Sequence, residues 1–171
     1  IAVGSGKGGV GKSTIAWHVA HALSHMGMRI GLLDADVYGP SLPRFFGEHQ
    51  TPDVVDQKLI PLRYEGLLCM SMGFLIPAGE AAVWRGPMLM TAVKQMLKDV
   101  RWDIDGALDC LVVDLPPGTG DVPLTLSQQV HIDGALIVTT SHPLAIDDAV
   151  RAEAMFERLN VPLIGVVETR G

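Results

Sequence analysis

The segment Gly6-Lys7-Gly8-Gly9-Val10-Gly11-Lys12-Ser13-Thr14 constrains the fold of this chain more than any other stretch. It contains the phosphate-loop pattern G-x-x-x-x-G-K-[S/T], read as Gly6, Gly11, Lys12 and Ser13. A strand over residues 1–4 is predicted before the loop, and a helix from about Ser13 to Ser24 or Met26 after it. Glycines let backbone N–H groups converge on an anion, and the helix N-terminus adds a favourable dipole. The segment therefore predicts a phosphate site in which Lys12 reaches the terminal phosphates and Ser13 binds Mg²⁺.

Apolar strands alternate with helical patterns along the rest of the chain. This alternation predicts a doubly wound α/β fold with a mostly parallel sheet. The apolar content of 48% fits strands that are covered by helices on both faces. An irregular stretch or short helix is expected between the loop at 38–43 and about Asp56. The other predicted strands cover 29–33, 59–62, 67–72, 110–113, 135–139 and 163–167. The other predicted helices cover 87–100, with Met88, Ala92, Met96 and Leu97 as its apolar stripe, and 146–159.

Length and charge limit the function classes. The 171 residues predict a single nucleotide-binding domain. Because the sequence starts at Ile1 rather than Met and enters a predicted strand at once, we expect the domain to be truncated, and we expect the same at its other end. The net charge of −6, with no basic tract, argues against nucleic-acid binding. No apolar run approaches the roughly 20 residues that span a bilayer, so no membrane association is expected. Without a signal peptide, the predicted location is the cytoplasm.

Three carboxylates follow predicted strands and complete the expected site. Asp114 ends the run Leu111-Val112-Val113 and is the Walker-B candidate for Mg²⁺. Asp34 and Asp36 lie two residues apart at the end of the second strand, so both side chains would project toward one face. One could contact the metal shell and the other position the attacking water; the alternative is that they cap a turn. The loop after Asp114, with two prolines and two glycines, is typical of a switch that senses a γ-phosphate.

A second lysine inside the phosphate loop, Lys7, narrows the class of P-loop protein to which the sequence can be compared. Lys7 would crowd Lys12 unless a polyphosphate neutralised both. The string K-G-G-V-G-K-S-T resembles the deviant Walker A loop of the MinD, ParA and nitrogenase iron-protein group. That resemblance implies that Lys7 reaches the nucleotide of a partner subunit, as an arginine finger acts in trans.

Further strings resemble the Mrp/ApbC family of P-loop iron–sulfur cluster carriers over nearly the whole chain. They are L-L-D-A-D-V-Y-G-P-S from Leu32, M-S-M-G-F from Met70, W-R-G-P-M from Trp84 and D-L-P-P-G-T-G-D from Asp114. The resemblance implies a homodimer that binds ATP and Mg²⁺, hydrolyses ATP slowly and delivers clusters to apo iron–sulfur proteins. Tyr38 to Ser41 would form switch one, and Pro116 to Asp121 switch two.

The site residues implied by the motifs and the resemblance fall into three groups. The catalytic candidates are Lys7, Lys12 and Asp36, and the metal candidates are Ser13 and Asp114. The nucleotide-binding candidates are Gly6, Lys7, Gly8, Gly9, Val10, Gly11, Lys12, Ser13, Thr14, Asp34, Asp114, Pro116 and Gly118. No role is assigned to Trp84 and Arg85.

Two departures from the family pattern concern the end of the chain. The family binds its bridging cluster through a C-x-x-C pair beyond the last strand, and no such pair occurs before Gly171. The ligands are expected outside this sequence; the alternative is a paralogue that lacks the cluster site. The family tends to read E-N-M-S after that strand, with the asparagine near the adenine, whereas here Thr169 follows Glu168. The T-P-Q-D stretch of the family is also altered, to Thr140-Ser141-His142-Pro143.

Alternatives remain open from sequence. A MinD- or ParA-type positioning ATPase without a metal would share the loop, and a reductase component like nitrogenase iron protein would need cluster cysteines in this core. Cys69 and Cys110, each within an apolar run, are interpreted as core residues rather than as a disulfide or metal pair. His18, His21 and His25 share one flank of the first helix; a partly exposed polar face is favoured over a metal site.

Overall fold

Nine strands make up two sheets in the computed structural model, which describes residues 1–46, 50–76, 80, 83–84 and 86–170. Seven strands belong to the main sheet: β1 (Ala2–Gly4), β2 (Ile30–Asp34), β5 (Leu62–Tyr64), β6 (Leu67–Ser71), β7 (Cys110–Asp114), β8 (Ala135–Thr140) and β9 (Leu163–Thr169). Their order is β5-β6-β2-β7-β1-β8-β9. The other two, β3 (Val54–Val55) and β4 (Lys58–Leu59), pair with each other in an antiparallel hairpin.

The main sheet is parallel except at one edge. Every neighbouring pair from β6 to β9 is parallel, and only β5 runs antiparallel to β6. Asp34 pairs in register with Asp114 across β2 and β7. The two strands that carry the predicted carboxylates therefore end at the same level, beside the phosphate loop that follows β1. The predicted mostly parallel α/β sheet is confirmed.

Six helices connect and cover these strands: α1 (Lys12–His25), α2 (Leu42–Phe45), α3 (Met72–Leu75), α4 (Gly86–Lys98), α5 (Asp121–Gln129) and α6 (Pro143–Arg158). Gly27, the second residue after the end of α1, has a φ of 87°, a left-handed conformation that favours glycine. In the part of the chain that the structure describes, no helix is long and apolar enough to cross a membrane.

The core lies between the central strands and the helices. All five residues of β2 and of β6 are buried, because each of these strands has a neighbour on both sides and helices above it. This is the pattern expected of interior strands of a parallel sheet. Cys69 is fully buried in β6, as predicted, whereas Cys110 at the start of β7 is only partly buried.

The strand predicted over 59–62 is wrong. Residues 58–59 pair in the separate hairpin, and residues 62–64 join the main sheet as β5. Pro61 lies between them, and because proline has no N–H to donate, a ladder cannot run through it unbroken.

One helix was not predicted and another begins earlier than predicted. Helix α5 lies in a stretch to which the sequence analysis assigned no element; its Pro123 falls in the first turn, where an N–H has no partner within the helix and proline is tolerated. Helix α6 begins at Pro143 rather than at 146, with His142 as the residue that caps it. Asp147 and Asp148 therefore lie in its second turn.

The apolar stripe of α4 is confirmed at Ala92 and Met96, Leu97 is only partly buried, and the prediction is wrong at Met88. Met88 is 50% exposed, and the buried side chains are Leu89, Ala92, Val93 and Met96. Trp84 is partly buried against the core. Arg85 and Gly171 lie outside the described residues.

Candidate functional site

A cleft of about 410 Å³ opens where β1 runs into α1. Its walls come from the phosphate loop, the start of α1 and the two predicted switch segments. The lining residues are Ser5, Gly8, Gly9, Gly11, Lys12, Ser13, Thr14, Asp36, Tyr38, Gly39 and Pro117. Seven of the predicted site residues are thus brought together around one cavity.

The phosphate loop has the backbone conformation that the glycines predict. Gly9 and Gly11 have φ values of 79° and 85°, in the left-handed region where residues with a side chain are strained. Gly11 caps α1 without a side-chain hydrogen bond, and the first turn holds no acidic residue. The N–H groups at the start of α1 are therefore available to an anion, with the helix dipole in their favour.

Lys12 is buried at the base of the cleft and pairs with carboxylates. It is 6% exposed, and its Nζ donates a hydrogen bond to Asp114 Oδ1. The Nζ also lies 4.0 Å from Asp36 Oδ2. A buried ammonium without a partner would be costly, so these carboxylates balance its charge in the absence of an anion.

Asp114 retains one uncommitted oxygen. Its Oδ2 atom is buried and has no hydrogen-bond partner among the described residues. Burial raises the pKa of the Asp114 carboxyl, while the ammonium of Lys12 acts in the opposite direction. A buried carboxylate oxygen beside the Ser13 hydroxyl is a donor set that suits Mg²⁺, which prefers oxygen ligands. The described residues thus fit a magnesium ion.

Asp34 is committed to holding the chain that leads into α2. Its Oδ2 accepts hydrogen bonds from the Ser41 N–H at 2.8 Å, the Leu42 N–H at 3.0 Å and the Ser71 hydroxyl at 3.0 Å. Its Oδ1 accepts from the Asp36 N–H at 3.1 Å. Burial and then the charge of Asp114 raise the pKa of Asp34 to about 6, while the hydrogen bonds oppose the shift. Asp34 does not line the cleft, although it adjoins Ser13 and Asp114 beneath it.

Asp36 lies at the cleft wall and organises switch one. Its Oδ1 accepts hydrogen bonds from the N–H groups of Tyr38 at 3.2 Å and Gly39 at 3.0 Å. The other oxygen, Oδ2, is the one that faces Lys12. Tyr38 is 67% exposed at the rim. Switch one is thus tied to the sheet by two carboxylates, and a change at either would move it.

Switch two contacts the residue just before the phosphate loop. The Gly118 N–H donates to the Ser5 carbonyl at 2.8 Å, and Gly118 has a φ of 89°. Pro117 lines the cleft. The end of switch two also borders a second cleft, of about 460 Å³, between α5 and α6.

Several predicted residues lie near the cleft without lining it. Gly6 is needed for close packing, because a Cβ there would lie 2.2 Å from the Asp148 backbone on α6. The side chain of Lys7 is exposed, and that of Val10 is buried. Pro116 is the first residue of switch two, and Leu115 joins it to Asp114.

Sequence reasoning missed two residues of this region. Ser5 lines the cleft, and its hydroxyl donates to the Lys7 carbonyl at 2.9 Å. Thr169, at the end of β9, donates to the Val10 carbonyl at 2.6 Å. The departure from the family's E-N-M-S pattern drew attention to Thr169, but no local signal in the sequence could indicate its partner.

The cysteines and histidines form no metal site in the described part of the chain. No group of three or more metal-ligating side chains occurs there. Burial raises the pKa of the Cys69 thiol to about 12, which keeps it protonated. Cys69 and Cys110 lie on the two strands that flank β2, so about 10 Å of sheet separates them. His21 Nε2 lies 2.9 Å from Glu65 Oε2, and the rings of His21 and His25 are 4.6 Å apart.

The family model described as NUBPL iron-transfer P-loop NTPase matches residues 1–170. The chain belongs to this family. The assignment confirms the resemblance to Mrp/ApbC carriers that the sequence motifs indicated. Because this is a family of P-loop NTPases, it also supports the interpretation of the glycine-rich segment as a phosphate loop.

Curated relatives are similar over almost all of this chain. The iron-sulfur cluster carrier protein of Aquifex aeolicus is 52% identical over 98% of this chain and 46% of its own length. The protein of the same name from Deinococcus radiodurans is 53% identical, over 98% of this chain and 48% of that protein. The mitochondrial iron-sulfur protein required for NADH dehydrogenase from Arabidopsis thaliana is 51% identical, over 98% of this chain and 53% of that protein. The chain spans about half the length of these relatives.

Solved structures share the fold. The nucleotide-binding protein of Archaeoglobus fulgidus, solved in complex with ADP, superimposes with a TM-score of 0.76 at 37% identity, over 98% of this chain and 64% of that one. The septum site-determining protein MinD of Pyrococcus horikoshii, complexed with Mg-ADP, gives a TM-score of 0.70 at 18% identity, over 96% of this chain and 67% of that one. The predicted doubly wound P-loop fold is confirmed.

Proposed function

We propose that this chain is the nucleotide-binding part of an ATP-dependent iron–sulfur cluster carrier. It binds ATP in the cleft between the phosphate loop and the two switches, hydrolyses it slowly, and uses the resulting movement to control cluster assembly or transfer. The observation that carries the proposal is the buried Lys12–Asp114 pair at a cleft that Gly8, Gly9 and Gly11 of the phosphate loop line. Two similar proteins are named iron-sulfur cluster carrier protein, which supports an iron–sulfur cluster as the cargo.

The nucleotide-binding roles follow from this arrangement. The N–H groups of Gly8 to Thr14 surround the phosphates, and Lys12 turns from Asp114 to the incoming polyphosphate. Asp36, 4.0 Å from the Lys12 ammonium and at the cleft wall, orients the attacking water. Asp34 acts on the same reaction from below, through its hydrogen bonds to switch one.

Ser13 and Asp114 hold the magnesium ion that accompanies ATP. The two residues adjoin beneath the cleft, close enough for the Ser13 hydroxyl to oppose the rise in pKa that burial causes at the Asp114 carboxyl. Asp114 Oδ2, which has no geometric hydrogen-bond partner in the described part of the chain, provides the anionic ligand. When bound, Mg²⁺ neutralises charge on the phosphates. Turning Lys12 away from Asp114 leaves that carboxylate free to serve the metal.

The cluster is cargo held between two copies of the protein by residues outside this sequence. Cys69 is fully buried and protonated, and Cys110 is two strands away, so the two cannot jointly hold a cluster. Acceptors are apo iron–sulfur proteins. A homodimer fits the family's deviant loop, because Lys7 is exposed and can reach another subunit.

Two measurements on the full-length protein test the proposal. In the first, Lys12→Ala should abolish Mg-ATP binding measured by titration calorimetry, while Lys94→Ala, an exposed lysine on α4, should bind as wild type. In the second, iron and acid-labile sulfide are measured after anaerobic purification, together with activation of an apo iron–sulfur enzyme. Bound cluster that transfers in an ATP-dependent way is expected. ATP hydrolysis without iron after reconstitution would instead favour a metal-free switch of the MinD or ParA type.

A further inference from the structure

Thr169, at the end of the last strand, forms a hydrogen bond with the phosphate loop. Its hydroxyl Oγ1 lies 2.6 Å from the Val10 carbonyl oxygen, a contact between residues 159 positions apart. The same oxygen lies 3.2 Å from the Thr139 carbonyl on β8. Its methyl group is 3.6 Å from the position that a Cβ on Gly11 would occupy. Thr169 therefore contacts the loop at the one peptide that joins Val10 to Gly11.

The anchor of this contact is rigid. Thr169 ends β9 and pairs in register with Thr140 of β8. Strand β8 in turn pairs with β1, the strand from which the phosphate loop emerges. The hydroxyl is thus linked to the loop through parallel strand pairing, which is in register from Leu136 to Thr140 of β8.

The geometry of one peptide group links this contact to phosphate binding. A trans peptide is planar, so its carbonyl and its N–H point in opposite directions. When Thr169 binds the Val10 carbonyl from behind, the Gly11 N–H is held facing away from β9. Gly11 lines the cleft and begins α1 with a φ of 85°. A left-handed glycine has several accessible orientations, and this hydrogen bond selects one of them.

We propose that Thr169 is a positioning residue for the nucleotide phosphates, which acts by fixing the Val10–Gly11 peptide so that the Gly11 N–H faces the cleft. The inference rests on the proposed nucleotide binding. The resemblance implies that the family's asparagine at the position of Thr169 lies near the adenine base. The role proposed for Thr169 is different, because it concerns the phosphates. Because the effect passes through the loop backbone, it applies to any polyphosphate, with or without a base.

The experiment measures the affinity of the full-length protein for Mg-ADP and for inorganic pyrophosphate by titration calorimetry. Thr169→Val removes the hydroxyl and keeps the shape, and Thr169→Ser keeps the hydroxyl. Thr91→Val is the matched control, because Thr91 also donates to a backbone carbonyl, that of Pro87, but on an exposed face of α4. Thr169→Val should weaken both ligands by about fivefold, the effect of one net hydrogen bond. Thr169→Ser and Thr91→Val should bind as wild type.

Each other outcome overturns the proposal in a distinct way. Loss confined to Mg-ADP, with pyrophosphate unaffected, would assign Thr169 to the base. Wild-type affinity in Thr169→Val would leave the hydrogen bond without effect, and equal weakening in Thr169→Ser would make the methyl group the determinant. If Thr169→Val does not fold, Thr169→Ala is compared with Thr169→Ser, since the two differ only in the hydroxyl. A wild-type protein that binds neither ligand would refute the proposed function itself.

Discussion

Asp34 is a buried carboxylate whose charge is costly even though four donors face it. It is 1% exposed, and burial, followed by the charge of Asp114, raises its pKa from 3.8 to about 6. The hydrogen bonds from switch one favour the ionised form but do not fully offset desolvation. The hydrogen bonds between Asp34 and switch one are therefore strongest when Asp34 is ionised. Keeping this buried carboxylate ionised lowers the free energy of unfolding.

The raised pKa of Asp34 predicts a specific dependence of stability on pH. Between about pH 4 and pH 6 the folded protein binds a proton at Asp34 that the unfolded chain does not, so stability falls as pH rises through this range. From pH 5 to pH 7 the wild type should lose about 1 kcal/mol more unfolding free energy than Asp34→Asn, in metal- and nucleotide-free protein. Urea denaturation at the two pH values measures this difference. Asp109→Asn is the control: Asp109 is exposed and accepts the Arg29 N–H at 2.7 Å. Equal pH slopes in wild type and Asp34→Asn would contradict the prediction.

Helix α3 supports switch one from below, and a glycine makes this possible. The Ser71 hydroxyl caps α3 by accepting the Gly73 N–H at 3.0 Å and donates to Asp34. A Cβ on Gly73 would lie 2.7 Å from Pro40 Cβ and 2.8 Å from Pro43 Cγ. Proline rings cannot swing aside as a flexible side chain can, so the two segments would have to separate.

Gly73→Ala should therefore destabilise the protein through this contact between elements. Overpacking of this kind costs about 1–3 kcal/mol. Urea denaturation is the measurement, and Gly86→Ala is the matched control, because a Cβ on Gly86 meets no atom of the described residues within 4 Å. If Gly73→Ala were as stable as Gly86→Ala, α3 would not be the support of switch one.

The elements that local patterns specify were predictable, and those that depend on distant partners were not. The phosphate loop and the carboxylates at the ends of β2 and β7 follow from short motifs next to apolar strands, so their convergence could be predicted. Helix α5 was not predicted; only Val122, Pro123, Thr125 and Leu126 of its nine residues are buried, and this short segment carries no long apolar stripe. The Thr169–Val10 contact depends on the pairing of β9 with β8, which no short pattern encodes. The commitment of Asp34 to switch one rather than to the cleft likewise depends on packing around it.

At the scale of the whole molecule, the cleft is open, and only one of the two phosphate-loop lysines lines it. Lys12 is buried at the base, whereas the Lys7 side chain is exposed and does not line the cleft of its own subunit. A two-fold dimer presents the same face of both subunits to each other, so a residue at the rim of one cleft can enter the other. In the homodimer proposed above, we therefore expect Lys7 to act on the nucleotide of the partner subunit.

This arrangement predicts that Lys7→Ala separates nucleotide binding from dimerisation. The variant should bind Mg-ATP as wild type, because its own cleft is intact, but should dimerise and hydrolyse ATP several-fold less well, because the γ-phosphate of the partner loses a positive charge. Sedimentation velocity with a non-hydrolysable ATP analogue, together with phosphate release, measures the two effects. Lys94→Ala controls for the loss of an exposed lysine elsewhere. Binding lost to the same degree as in Lys12→Ala would mean that Lys7 serves its own subunit, and the role in trans would then be wrong.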